Sequence, residues 1–393
     1  MTAGQGTNLH IYPAPIVSES RIFRQTAAVE EAELFDEVEI CGTSAPGLPS
    51  VEPLSERRRI RRVGSHSKGS GSVLRRIAHQ ILWSVQVYRS YAGKSIGAVN
   101  AHSVAVLPVA VFLARRHGAK LIYDTHELET ETGTSRGAQG RIFKLLERRY
   151  IRRCDVVFVV NDLIREWYEE TYPGIRATSV VNSPVGEIAG TGQDLRSELG
   201  IPGESRLYVH VGNLGAARHI PELLEVFKTR SDDHLVFVGD GPLRTLIAET
   251  AVGHPNIHLF GTVDSSSVVP TLESADVGIC VIEPSCLSYA LSLPNKAIEY
   301  IAAGIPFIHN ELPAVDRLLA GRLSPFRITS VESDLPWALD SITSVDVSDA
   351  RSDLADVALP SWASQSDKMI RAYREVLGTP RSESAAESKE RRS

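Results

Sequence analysis

The sequence predicts two doubly wound α/β layers in tandem, facing one cleft. The main observation is rhythm: short apolar segments alternate with helix-period stretches along most of the chain. That rhythm breaks once, in a stretch richer in Gly, Ser and Pro between Val181 and Glu204, which reads as an interdomain connection. Length agrees, because 393 residues exceed what a single hydrophobic core usually fills.

In the first layer, strands are expected at 9–13, 37–41, 98–102, 120–124, 155–160 and 178–181, with helices at 104–117, 139–152 and 163–170. The second layer repeats the pattern, with strands at 207–211, 234–238, 257–260, 277–281, 306–309 and 326–329 and helices at 219–229, 242–251 and 266–274. The division that follows is a Rossmann-like domain at 1–182, a second at 183–360 and an amphipathic helix at 361–377. A small, polar and charged tail at 378–393 is expected to be disordered. Open α/β sheets take ligands at the carboxyl ends of their strands, so the cleft is the expected site.

Composition narrows the class. The chain is 42% hydrophobic and 23% charged, the balance of a water-soluble globular protein. Its four cysteines form no Cys-x-x-Cys pair, which argues against a disulfide framework and a zinc knuckle. No apolar run is long enough to span a bilayer and no leader is evident at the start, so a reducing cytoplasm is expected. Charge is unevenly spread: residues 50–95 carry ten Lys or Arg against Glu52 and Glu56, in a chain whose net charge is −6. Such a segment reads as a solvated loop or as a contact for an anionic partner; nucleic acid is not expected, because the rest of the chain would repel it. The segment ends in a helical run at 72–88, whose arginines flank apolar positions at i, i+3, i+4 and i+7. It suits a packed domain helix or an interfacial helix on anionic lipid.

The chemistry concentrates at strand ends. Pro294-Asn295-Lys296-Ala297-Ile298-Glu299-Tyr300 starts a helix that stops at Gly304, before the apolar Ile305-Pro306-Phe307-Ile308. The start of such a helix offers unpaired N–H groups and a positive dipole end to an anion, and Glu299 could accept hydrogen bonds from a sugar or ribose diol. Earlier, Val211-Gly212-Asn213-Leu214-Gly215 leads through Arg218 into a helix. The next two strands end in Gly239-Asp240-Gly241-Pro242 and Gly261-Thr262-Val263. One such loop reads as a tight turn; three in succession suggest backbone approaching a ligand, with Arg218 placed to neutralise phosphate. In the first layer, Tyr123-Asp124-Thr125-His126-Glu127 ends a strand with a histidine directed at the cleft, while His102 reads as a packing or capping residue. A metal site is not expected, since Thr130 stands where His-Glu-x-x-His needs its second histidine. No Gly-x-Gly-x-x-Gly follows the first strand, and neither a P-loop nor a Gly-x-Ser-x-Gly elbow occurs. Dehydrogenase, P-loop and serine-hydrolase readings fall away.

Taken together, these residues resemble the retaining, family-4-type glycosyltransferases of the GT-B fold. The resemblance covers nearly all of residues 7–377. It rests on Ser292 through Tyr300 with Ala303-Gly304-Ile305-Pro306, on Gly239-Asp240-Gly241-Pro242, on Val99-Asn100-Ala101-His102, on Leu121 through Glu127, and on Ile11-Tyr12-Pro13 followed by Arg21 and Arg24. It implies a donor wall of Gly212, Asn213, Arg218, Gly239, Gly241, Val263, Asn295, Lys296 and Glu299, with Glu299 on the nucleotide ribose and Arg218 and Lys296 on the pyrophosphate. His126, Arg218 and Lys296 would be the catalytic set, His126 contacting the donor sugar. No metal and no cofactor is implied beyond the nucleoside diphosphate sugar as co-substrate. The first domain would face the acceptor, a glycan or lipid-linked glycan of envelope polysaccharide assembly, with residues 50–95 touching an anionic membrane at its inner face.

Three positions depart from the family's pattern. Leu291 stands where members often carry an additional Glu, Asn213 stands where an Arg is usual, and the glycine-rich loop after the first strand is missing. A subgroup with the Pro-Asn-Lys form likewise lacks that Glu. Two alternatives therefore stay open: a noncatalytic GT-B-like partner subunit of another glycosyltransferase, and a nucleotide-sugar epimerase on the same architecture.

Overall fold

β1 (Thr7–Ile11) is buried on both faces, and the first sheet grows outward from it. The structure, a computed structural model, describes residues 5–17, 19–65, 73–133, 137–183 and 190–378. Beside β1 on one side lie β2 (Glu37–Ser44), β4 (Arg58–Ser65) and the short β3 (Val51–Pro53); on the other lie β5 (Ile96–Ala101), β6 (Lys120–Asp124), β7 (Val156–Val159) and β8 (Ala177–Ser179). All neighbours are parallel except β3, which runs antiparallel to β4. The strand order reverses between β1 and β5. A crevice opens there, because the following helices leave on opposite faces.

The second sheet is all parallel, in the order β11 (Ile257–Gly261), β10 (Asp233–Val238), β9 (Arg206–Val211), β12 (Val277–Cys280), β13 (Phe307–His309). Its order reverses between β9 and β12. Continuous apolar runs such as Leu207–Val209 and Leu235–Val238 fit strands covered on both faces by helices. The helix Trp362–Gly378 packs on the first sheet: Met369, Ile370 and Tyr373 share a core with Ala28, Val29, Ile122 and Phe158, and Tyr373 Oη donates to Asn100 Oδ1 at 2.6 Å. The disordered tail expected at 378–393 lies, apart from Gly378, outside the described residues.

Several expectations need correction. The basic segment is not a solvated loop over its first half, because Arg58–Ser65 forms a strand. Ile60 faces a core of Ile16, Ile22 and Ile40, while Arg59 and Arg61 face the other side. There Glu39, fully buried, accepts from Arg59 at 2.6 Å, Arg61 at 2.8 Å and Lys94 at 3.1 Å, and Arg59 also pairs with Glu37. The positive charge is thus largely spent inside the domain. The helix that follows, Val73–Tyr91, matches the expected run, whereas residues 66–72 lie outside the described ones. The strand expected at 326–329 is replaced by a 3-10 turn, Ser324–Phe326, and a single bridge from Arg327 to His309. Pro325 has no N–H for a ladder, and Leu323 at φ 58° turns the chain away. The connecting stretch before β9 contains a short helix, Leu195–Leu199, capped by Asp194.

Candidate functional site

The carboxyl ends of the two sheets face each other across a cavity of about 370 Å³. The first sheet contributes Arg21, His126 and Glu127; the second contributes Arg218, Tyr289 and the Pro294–Asn295 start of the helix Asn295–Ala302, whose Ile298 also lines it. Direct contacts join the two sides. Asn161 Nδ2 donates to the Leu291 carbonyl at 2.9 Å, Ser288 Oγ lies 3.4 Å from Glu127, and Arg317 pairs with Glu166 at 2.9 Å. Leu291, where a second carboxylate was sought, packs its side chain on the first-domain core.

His126 stands at the end of a buried polar chain at the first switch point. Its ring stacks on Tyr12, with centroids 5.5 Å apart, and its Nε2 lies 3.2 Å from His102 Nδ1. His102 Nε2 lies 2.7 Å from His10 Nδ1, and His102 Nδ1 also lies 3.1 Å from Asp124 Oδ2. Asp124 is held by Arg21, whose Nη2 donates to Oδ1 at 2.7 Å and whose Nε reaches both carboxylate oxygens. Burial alone would raise the Asp124 pKa, but Arg21 and the two histidines hold it well below the usual carboxylate range. Burial pushes His126 down to about 3, so its imidazole is neutral near neutral pH. His102, Asp124 and His126 do bring ligand atoms within 4.8 Å of one another, as do His219, Glu222 and Glu332 near the protein surface. In the first cluster the guanidinium of Arg21 already satisfies the carboxylate that a cation would need. His102, read from sequence as a packing residue, is the link between His10 and His126. The signal missed is that strand ends at 11, 101 and 124 meet side by side, which sequence periodicity does not reveal.

On the second sheet the three glycine loops are stitched together by backbone. Gly212 N donates to Val238 O at 2.8 Å, Leu214 N to Asp240 O at 3.0 Å and Gly239 N to Gly261 O at 2.6 Å. Gly239 sits at φ 146°, and a Cβ there would fall 1.9 Å from Gly212 O, so no other residue fits. Gly212, exposed Asn213, Gly239, Gly241 and Val263 share this edge but do not line the 370 Å³ cavity. Arg218 does, with its guanidinium 5.4 Å from the centre of the Tyr289 ring.

Tyr300 fixes the helix Asn295–Ala302 to the sheet, its Oη donating to Val209 O at 2.9 Å and accepting from Val211 N at 3.2 Å. Pro294 is the residue before the first turn, and among the described residues no side chain caps the helix start. Ala297 N donates to Pro294 O at 3.0 Å, while the N–H groups of Asn295 and Lys296 precede the first intrahelical bond. Lys296 points inward rather than into the cavity, its Nζ donating to His210 Nε2 at 3.0 Å. Burial lowers its pKa to about 7, Arg218 adding to the effect. Burial raises half-buried Glu299 to about 7, against the pull of Lys296 and of Arg24 from the first domain. One buried cation and one carboxylate thus sit at the edge of ionisation next to the cavity, although neither Lys296 nor Glu299 lines it.

Comparison with known proteins agrees with this geometry. Residues 22–186 match the family described as glycosyl transferase 4-like domain, and residues 205–326 match glycosyl transferases group 1. The chain is built of glycosyltransferase family domains. TuaC of Bacillus subtilis, named as a teichuronic acid biosynthesis glycosyltransferase, is 26% identical over 258 residues, 64% of this chain and 60% of TuaC. A GDP-mannose-dependent alpha-(1-6)-phosphatidylinositol dimannoside mannosyltransferase of Mycobacterium tuberculosis is 26% identical over 219 residues, 52% of this chain and 54% of that protein. The chain therefore spans little more than half the length of these relatives. Among solved structures, sucrose-phosphate synthase from Thermosynechococcus elongatus superposes with a TM-score of 0.74 at 15% identity, covering 95% of this chain and 99% of that one. HepE of Anabaena, solved in complex with UDP and glucose, gives 0.66 at 12% identity over 94% and 100%. The fold is GT-B: two Rossmann-like domains facing a cleft.

Proposed function

We propose that this chain transfers a sugar from a nucleoside diphosphate sugar to a hydroxyl of a glycan or lipid-linked glycan, with retention of anomeric configuration and without a metal ion. The observation that carries the reading is that His126 from one sheet and Arg218 with the Asn295–Ala302 helix start from the other line the same cavity. On this reading the diphosphate rests against Arg218 and the helix N–H groups, with Lys296 behind them, and Glu299 accepts the ribose hydroxyls. Gly212, Asn213, Gly239, Gly241 and Val263 border the nucleotide. As the glycosidic bond to the diphosphate breaks, these cations and dipoles stabilise the growing negative charge. Neutral His126 orients the donor sugar by a hydrogen bond. With its pKa near 3 it is too weak a base to hold the acceptor's proton, which passes to the departing phosphate oxygen. Attack from the leaving-group face retains the configuration.

The acceptor side is the first domain. The helix Val73–Tyr91, rather than the internally paired arginines of β4, is the part of residues 50–95 that meets an anionic membrane at its cytoplasmic face. Among the described residues no helix is long and apolar enough to cross a membrane. The test is a thermal-shift screen of UDP, GDP and their sugars, followed by transfer assays with product anomer determined by NMR. A ligand that binds only the folded state must raise the melting temperature. A shift lost in Arg218→Ala and Glu299→Ala, with turnover in the wild type, is expected. Absence of any shift would overturn the reading; binding without turnover would favour the noncatalytic subunit.

A further inference from the structure

We propose that the groove between the helices Val73–Tyr91, Leu107–His117 and Ala138–Tyr150 holds the hydrocarbon chain of a lipid-phosphate acceptor, with its head at the cleft. This rests on the transferase reading above and names the acceptor's chemistry. The groove encloses about 950 Å³ and is walled chiefly by apolar side chains, among them Ile81, Val85, Phe112 and Ile142.

The helix Val73–Tyr91 carries two apolar stripes, whereas a surface helix needs only one. Trp83, Val87 and Tyr91 form the first and are buried in the domain core, with Trp83 Nε1 donating to Val63 O at 2.7 Å. The second stripe is Ile77, Ile81 and Val85, ending at Tyr88, which is half-buried against the domain core: Ile81 is 57% and Val85 41% exposed. Phe112, 53% exposed, and Ile142, 37% exposed, face the same groove from the other two helices. A contiguous exposed apolar surface drawn from three separate elements marks a binding surface rather than scattered exposure.

Two observations choose the occupant. The first is continuity with the candidate site. Pro13 and Ser103 line the groove; Pro13 follows Tyr12, whose ring stacks on His126, and Ser103 follows His102, which lies within hydrogen-bond distance of His126. The second is charge. Unlike the arginines of β4, Arg76 and Arg89 on the groove wall are exposed and form no ion pair among the described residues. The helix begins at the carboxyl edge of the sheet, as helices following parallel strands do. Arg76 therefore stands at the cleft end and Arg89 at the far end, about 20 Å apart at the helical rise. A slot of that length, apolar along its wall and cationic where it meets the cleft, fits an extended hydrocarbon chain with a phosphate at its head. A partner protein's helix would not need an opening into the cleft.

The test uses the full chain and alkyl phosphates of six to twelve carbons, kept below their micelle-forming concentrations, with inorganic phosphate and dodecyltrimethylammonium for comparison and calorimetry as the readout. Affinity is expected to rise by up to about fourfold per added methylene and to be weak for the cationic amphiphile. Phe112→Asp and Val85→Asp, both at exposed positions, should weaken dodecyl phosphate at least tenfold, and Arg76→Gln more than Arg89→Gln. Val345→Asp, at an exposed apolar site on the other domain, should not. Affinity independent of chain length would overturn the proposal. So would binding only to phosphatidylglycerol vesicles, or self-association abolished by Phe112→Asp with no alkyl phosphate bound. Alkyl phosphate binding by a protein that gives no thermal shift with any nucleotide would uphold the groove and sink the transferase reading instead.

Discussion

His102 Nδ1 lies 3.2 Å from His126 Nε2, while the other nitrogen of His102 lies 2.7 Å from His10. The ring facing the cleft is therefore aimed by a ring that solvent does not reach. If His126 orients the donor sugar, removing His102 should misplace it without touching the nucleotide. His102→Gln is expected to lower kcat about 100-fold, the size of effect that a misplacement of about 1 Å produces. Nucleotide sugar affinity should stay within about threefold. A parallel loss of affinity and kcat in single-turnover and binding measurements would mean that the chain of histidines merely holds the fold.

Lys296 and Glu299 give the donor site a pH dependence whose sign follows from their shifts. Lys296 is lowered from 10.5 to about 7, so above pH 7 the free protein loses the charge that a diphosphate needs and must take up a proton to bind. Glu299 is raised from 4.5 to about 7, so below pH 7 it is protonated and no longer offers ribose hydroxyls a carboxylate. Affinity for a nucleotide sugar should therefore peak near pH 7 and fall by up to tenfold per unit on either side. Lys296→Arg should flatten the alkaline limb and Glu299→Gln the acid one. The check is calorimetry between about pH 6 and 8.5 in buffers of different ionisation heat. A nucleotide sugar is the better probe, since it lacks the terminal phosphate proton that titrates near about 6. A flat profile in the wild type would contradict the assignment.

The sheet architecture was legible because buried parallel strands announce themselves as apolar runs, and β6 was bounded to the residue, Lys120–Asp124. β4 was not legible. Its first five residues, Arg58-Arg59-Ile60-Arg61-Arg62, include one apolar side chain, and what makes them a strand is the set of acidic partners on β2 and the helix before it. The glycine loops at 212 and 239 were readable as backbone approaching a ligand; the close neighbour that the structure places at Gly239 is the chain's own Gly212 O, which a single sequence does not reveal. The inward aim of Lys296 was not readable, because it depends on His210 from a strand 86 residues away. Tertiary partners far apart in sequence decide side-chain direction, and a single sequence carries no record of them.

Gly239 should tolerate no side chain. Its φ is 146°, and a Cβ added there would stand 1.9 Å from Gly212 O, so the obstacle is backbone and not a flexible side-chain end. Gly239→Ala is expected to cost about 3–5 kcal/mol from strain and overpacking together, lowering the melting temperature by roughly 10 °C. Because the same loop borders the proposed nucleotide, the variant should also lose the nucleotide-induced shift. Gly253→Ala is the contrast: nothing lies within 4 Å of its Cβ position at the end of a helix. There the change should be neutral or stabilising by up to about 1 kcal/mol.

Glu39 is the buried carboxylate at the centre of the ion pairs between β2 and β4. It is fully buried, and it receives Arg59, Arg61, Lys94 and the hydroxyl of Tyr91. Burial alone would raise its pKa, yet the hydrogen bonds from Tyr91, Arg59 and Arg61 bring it down to about 2. A depressed folded value means the stabilisation is complete above the unfolded value of about 4.3 and is lost as pH falls toward 2. Glu39→Gln keeps the shape but takes the carboxylate from Arg61 and Lys94 and leaves Arg59 with Glu37 alone, so a loss of about 3 kcal/mol is expected. That is the lower end for a broken buried pair, because each cation is partly solvated. Arg61→Gln leaves the carboxylate with two cations and should cost less than about 1 kcal/mol. Urea melts from about pH 7 down to 3 would check both. In Glu39→Gln the acid-dependent loss between about pH 4.5 and 3 should shrink, because the group that titrates there is gone. If the variant melts like the wild type at neutral pH, the arginines of β4 are not held by Glu39, and the solvated reading of that segment returns.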